Sequence, residues 1–226
     1  MADVVCIGAH PDDVEIGMGG TVAALVDSGA DVLIVDLTDG EPTPFGTHER
    51  RMAEAAEAAA VLGCRRVTLG LPNRVLADTP EARSACAEVL RLERPDVLFM
   101  PYPEDAHPDH VAAARIAEGA RFFAKLSKTA MAGEPHFPRR AYRYMAVHLR
   151  IVREPTFLGD ISTTLDRKIQ AVAAYRSQFS DNPVNVTLPE SLRRTALSWG
   201  EIGRVHAAEP FFALEPLVVG SVLDLR

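Results

Sequence analysis

The chain has 226 residues, 47% of them hydrophobic and 24% charged, with a formal net charge of −7. That balance excludes wholesale disorder, and the negative charge argues against nucleic acid as a partner, which would need a basic face. The longest apolar runs, such as Val32 to Val35, fall far short of the roughly 20 residues that cross a bilayer, so no membrane partner is expected.

The start, Met1-Ala2-Asp3, lacks the basic residues of a secretory signal. Cys6, Cys64 and Cys86 are widely spaced and form no CxxC, so a reducing, cytoplasmic location is expected. Val4 to Ala9 is a short apolar run ending in His10, the pattern of a buried parallel strand. Thr21 to Ser28 reads as a helix closed by Gly29, and Val32 to Leu37 as a second strand. Thr47 to Leu62 is rich in Ala, Glu and Arg and ends at Gly63, which predicts a helix. Arg66 to Leu69 follows as a strand, Pro80 to Leu92 as a helix opened by proline, Val97 to Met100 as a strand and Val111 to Ala124 as a helix. This alternation predicts an α/β fold, a Rossmann-like doubly wound and mostly parallel sheet of order 3-2-1-4-5. The core spans about residues 1–135. Beyond it, a C-terminal elaboration over about 136–226 carries strands at Tyr142 to Leu149 and Phe157 to Ile161 and a helix at Thr164 to Ser177. A loop at Asp181 to Pro189 and a helix from Pro189 to about Val205 complete it. One domain is expected.

Two clusters carry the chemistry. His10-Pro11-Asp12-Asp13-Val14-Glu15 follows the first strand, and Glu104-Asp105-Ala106-His107-Pro108-Asp109-His110 follows the fourth. Adjacent carboxylates repel and raise one another's pKa, a cost that a divalent cation relieves; His with carboxylate suits zinc. In the assumed strand order, strands 1 and 4 are neighbours, so both clusters would face one crevice at the carboxyl edge of the sheet.

His10-Pro11-Asp12-Asp13-Val14-Glu15-Ile16-Gly17 with Gly19-Gly20-Thr21, and His107-Pro108-Asp109-His110, resemble the signature motifs of the LmbE/PIG-L family of zinc-dependent deacetylases acting on N-acetylglucosamine-containing compounds. The resemblance extends to Leu71-Pro72-Asn73-Arg74, Ala174-Tyr175-Arg176-Ser177-Gln178-Phe179-Ser180 and Ala208-Glu209-Pro210-Phe211. It looks most like the bacillithiol branch, whose members deacetylate N-acetylglucosaminyl malate.

The resemblance implies three metal ligands, His10, Asp13 and His110, with water completing an open Zn²⁺ site; Fe²⁺, Co²⁺ or Mn²⁺ are alternatives. It implies Asp12 as general base, His107 as the group that protonates or stabilises the oxyanion, and Asp109 as the residue that orients His107 and keeps it charged. The metal would polarise the acetamide carbonyl and lower the pKa of water. Arg51 matches a family arginine that meets the sugar; the alternative for it is an exposed pair with Glu54. Arg74 is expected to hold the anionic part of the substrate, or else to pair with Asp78. The resemblance also implies a homo-oligomer, a trimer or hexamer.

Glu15 reads as structural support; His48, His148 and His206 could approach the site, but surface or packing is the favoured reading of each. Gly17-Met18-Gly19-Gly20 lacks the spacing of a phosphate loop. Asn185-Val186-Thr187 is a glycosylation sequon without meaning in the cytosol. The rival to a deacetylase is a Mg-dependent nucleotide- or sugar-nucleotide-binding module, disfavoured by three imidazoles, since Mg²⁺ prefers oxygen ligands. A closed structural metal site is a third possibility; three protein ligands leave it open instead.

Overall fold

The apolar runs of the first half become the centre of a seven-stranded sheet in the computed structural model, which describes residues 1–221. Strands β1 (Val4–Gly8), β2 (Val32–Asp36), β3 (Arg65–Thr68), β4 (Val97–Pro101) and β5 (Arg140–Tyr144) run parallel in the order β3-β2-β1-β4-β5. The expected order therefore holds, and β1 does lie beside β4, with Val4 opposite Val97 and Cys6 opposite Phe99. The elaboration adds two antiparallel strands to the same sheet: β7 (Ala208–Ala213) pairs with β5, and β6 (Phe157–Asp160) pairs with β7 at the edge.

Strand alternation sorts the core into two layers. Val5, Ile7, Leu33, Val35, Leu98 and Met100 meet α3 (Pro80–Glu93) and α4 (Pro108–Ala124) through Cys86, Leu90, Ala113 and Ala117. Val4, Cys6, Val32, Ile34 and Phe99 meet the opposite layer: α1 (Asp13–Asp27), α2 (His48–Leu62) and α5 (Leu165–Ala173). Each such buried Val, Ile or Leu contributes about 1.5–3 kcal/mol. The last helix, α6 (Leu188–Gly203), packs on α5 and β7. Among the described residues no helix is long and apolar enough to cross a membrane.

Helix α1 begins at Asp13, well before the expected Thr21, and kinks at Met18 (φ −152°, ψ 22°). Its glycines are there for close approach, not for phosphate. A Cβ on Gly17 would lie 2.2 Å from Cδ2 of the buried Tyr144, and one on Gly20 would meet Ile161 at 2.7 Å. Beyond the kink the Glu209 carboxylate on β7 accepts the backbone N–H groups of Gly20 and Thr21, at 3.1 and 2.8 Å. Lys168 on α5 closes this buried knot by donating to Glu209 and to the Ile16 carbonyl. Gly17→Ala should lower the urea midpoint by the equivalent of about 1–3 kcal/mol, overpacking outweighing the gain in helix propensity. An unchanged midpoint would mean that Tyr144 moves freely.

Strand β7 was not among the expected elements. Pro210 within it argues against a strand, yet pairing of β7 with β5 runs only from Phe211 to Ala213, so Pro210 has a partner strand on one side alone, Leu158 of β6, as a residue of an edge strand does. The expected strand at Tyr142 to Leu149 starts and ends earlier, as β5, and residues after Tyr144 form a loop. Helix α5 stops at Ala173; residues 174–180 turn away instead, tied to α2 by Ser177, whose backbone N–H and hydroxyl donate to Glu54.

Candidate metal centre and active site

The first cluster sits where β1 hands over to α1. Asp13 opens the helix, and its Oδ2 accepts the backbone N–H groups of Ala9 and His10 at 3.0 and 2.9 Å. Asp12, one residue earlier, has φ 118°, a conformation costly for any residue but glycine. This turn separates the two carboxylates. Asp13 points inward to the histidines, whereas Asp12 makes no helix-capping bond and faces Arg51, whose Nη2 lies 3.0 Å from its Oδ2.

The second cluster forms the start of α4. His107 caps the helix by accepting the Asp109 N–H at Nδ1, and Asp109 and His110 lie in the first turn. The two clusters meet as expected. His110 Nε2 is 3.2 Å from Asp13 Oδ1, and His10 Nδ1 is 3.6 Å from Asp13 Oδ2. One ligand atom from each of His10, Asp13 and His110 lies within 4.8 Å of the others, and all three residues are buried.

Each imidazole is set by a carboxylate behind it. Asp105 Oδ2 contacts His110 Nδ1 at 2.6 Å, and Asp109 Oδ2 contacts His10 Nε2 at 3.2 Å. If those nitrogens carry the hydrogen, the lone pairs of His110 Nε2 and His10 Nδ1 face Asp13, the arrangement a metal ligand needs. Asp109 lies beside His107, whose charged form its carboxylate favours, and it has further partners. Its carboxylate serves His10 and accepts the Arg74 and Leu76 N–H groups, and its backbone N–H donates to His107.

The electrostatics suit a cation among these three side chains. Burial opposes protonation of His110, yet Asp13 and Asp105 push it up to about 10. Burial likewise disfavours charge on His10, but Asp13 raises it. Asp13 itself falls well below the usual carboxylate range: burial works against this, and His110 and His10 outweigh it. Two imidazoles drawn towards their charged forms around one carboxylate mark a place where a divalent ion would replace protons, so the donor set fits a zinc-type site. Asp12 behaves oppositely. Burial, against the pull of Arg51, lifts it to about 7. His107 is lowered by burial and by its neighbours His10 and His110, against the opposing charge of Asp109, a shift away from the charged form expected.

These residues line a cavity of about 880 Å³ that also includes Arg51 and Arg74. Arg51 is buried, and it pairs with Asp12 and the Pro11 carbonyl; Glu54 instead takes Arg50. Its Nε and Nη1 are buried without a hydrogen-bond partner. Arg74 is exposed and donates to the Pro42 carbonyl at 2.6 Å, while Asp78 pairs with Arg83.

Two residues at the site were not among the site residues expected from sequence. Asp105 lay within the quoted cluster; a carboxylate five residues before a ligand histidine was the available signal. His148, expected on the surface or in packing, reaches the site: its ring centroid is 5.1 Å from that of His110, and its N–H donates to Asp105. It comes from the β5–β6 loop, which no local pattern ties to the motifs. Glu15 is structural, as expected. It pairs with Arg66, which also holds Asp36, and it accepts the Tyr175 hydroxyl at 2.8 Å. His48 pairs with Asp39 at the surface, and His206 is exposed.

Residues 5–120 match the PIG-L family, described as GlcNAc-PI de-N-acetylase. The diacetylchitobiose deacetylase of Thermococcus kodakarensis is 34% identical, over 91% of this chain and 80% of its own length. Among solved structures, a conserved protein of Thermus thermophilus superposes with a TM-score of 0.89 at 40% identity, covering 97% of both chains. The N,N'-diacetylchitobiose deacetylase of Pyrococcus horikoshii superposes with a TM-score of 0.82 at 30% identity, over 94% of this chain and 84% of that one.

Proposed function

Because the chain belongs to the PIG-L family, we propose that it is a metal-dependent deacetylase of small molecules containing N-acetylglucosamine. The observation that carries this reading is the division of labour between adjacent aspartates: Asp13 locked between two histidines, and Asp12 turned aside with its pKa near 7. His10, Asp13 and His110 would hold the metal, zinc by the chemistry of the donors, with Fe²⁺, Co²⁺ or Mn²⁺ as substitutes. Once bound, it would supply Lewis-acid polarisation of the acetamide and a more acidic water.

The chain's own residues account for the proton traffic. Asp12, ionised near neutrality, takes a proton from the attacking water as oxygen bonds to the carbonyl carbon. His107, neutral and accepting at Nδ1, has its Nε2–H free to donate to the developing oxyanion. The C–N bond then breaks, Asp12 returns its proton to the nitrogen, and acetate and a free amine leave. Three imidazoles and a glycine run engaged in packing weigh against the Mg-nucleotide alternative.

We further propose a carboxylate-bearing aglycone, N-acetylglucosaminyl malate being the expected case, in a cytoplasmic homo-oligomer. Arg51 offers buried donors to the sugar, and Arg74 lines the cavity with no acid partner among the described residues. Arg74→Ala should reduce the kcat/KM advantage of the malate conjugate over free N-acetylglucosamine about tenfold, some 1.4 kcal/mol, since an exposed arginine is partly screened. If the wild type shows no such advantage, or Arg74→Ala keeps it, Arg74 does not hold the aglycone.

A further inference from the structure

The Asp105 side chain is 0% exposed, and it serves two parts of the chain at once. Its Oδ1 accepts the backbone N–H groups of His107 and His148, at 3.1 and 3.0 Å, and its Oδ2 faces His110 Nδ1 at 2.6 Å. His107 and His110 belong to the start of α4, whereas His148 lies forty-three positions on, in the β5–β6 loop. Residues 145–151 of that loop all line the cavity. A second tie, Arg153 to Glu104, is an exposed ion pair and therefore worth little. The firmer hold on the loop is the buried carboxylate that also stands behind His110.

We infer that Asp105 is a positioning residue that joins metal ligation to substrate binding: one oxygen aims His110 Nε2 at the metal, and the other holds the cavity-lining loop beside it. This role rests on the metal-dependent deacetylase reading. Only a carboxylate suits the place, because all three groups that meet it are donors once His110 carries its hydrogen on Nδ1. An asparagine has the same shape but one acceptor oxygen. With its NH₂ towards His110, the ring must move its hydrogen to Nε2, the atom that faces Asp13. With its NH₂ towards His107 and His148, two backbone donors lose their acceptor and the loop is released.

The two hands of the carboxylate are tested apart. Zinc affinity is measured by competition with a chelator, and the loop is followed by trypsin, for which Arg150 and Arg153 are exposed sites. Asp105→Asn is expected to bind zinc about 10–100-fold more weakly than wild type. His148→Pro removes only the loop's donor to Asp105 Oδ1, and His148→Ala keeps that donor while losing the ring. With zinc saturating, His148→Pro is expected to be cut faster in the loop than His148→Ala and to raise KM for N-acetylglucosaminyl malate about tenfold over it, with zinc affinity kept. Wild-type zinc affinity in Asp105→Asn, or equal cleavage and KM in the two His148 variants, would overturn the role; the His148 pair decides the loop even if Asp105→Asn does not fold. Zinc bound without amine release from any N-acetylglucosaminide would overturn the deacetylase reading instead, and affinity and cleavage would still decide the role of Asp105.

Discussion

Asp12→Asn is expected to lower kcat by roughly 10²–10⁴ while the protein keeps its full metal content. The amide has the same shape and can still accept the Arg51 hydrogen bond, so the turn before α1 should persist. What is lost is the ability to take a proton, in a group that burial has already brought to about 7. Turnover with a saturating N-acetylglucosaminide and metal analysis of the same sample check both halves. If Asp12→Asn empties the site and Asp13→Asn does not, the roles of the two aspartates are reversed.

The second large effect is on the metal. His110→Ala should abolish stoichiometric binding, since it removes one of the three ligands proposed for the site. It also leaves the Asp13 and Asp105 carboxylates, 6% and 0% exposed, without the imidazole between them. Removing one partner from such a buried pair costs about 3 kcal/mol, so the metal-free variant should unfold at lower urea than metal-free wild type. A variant that still binds one equivalent of metal would point to His10, His107 and Asp109, the neighbouring group with suitable spacing.

Most of the sheet could be read from residues because parallel strands are covered on both faces. Val4 to Gly8 and Val32 to Asp36 are therefore almost wholly apolar runs that periodicity reveals. The start of α1 could not, since Gly17, Gly19 and Gly20 are poor helix formers whose reason for being there, the approach of Tyr144, Lys168 and Ile161, lies more than a hundred residues away. Strand β7 was hidden by Pro210 for a similar reason: the proline is acceptable because the pairing with β5 stops at Phe211 and leaves it paired on the β6 side alone.

The site shows the same division. His10, Asp13 and His110 fell within two local motifs, and the adjacency of β1 and β4 brings them together. Partners set by tertiary contact did not show. Asp109 was linked to His107 by proximity in sequence, and its carboxylate also crosses to His10, ninety-nine positions away. Arg51 could equally have been an exposed helical residue. Only the fold turns it inwards to Asp12 and over the Tyr175 ring, 5.5 Å from its centroid.

Free amine released from N-acetylglucosaminyl conjugates, followed in one preparation before chelation, after chelation and after zinc is restored, bears most directly on the assignment. Amine release that disappears with the metal and returns in proportion to the zinc bound is the expected result. Full activity without any divalent metal, or no amine from any conjugate at full zinc occupancy, would contradict it.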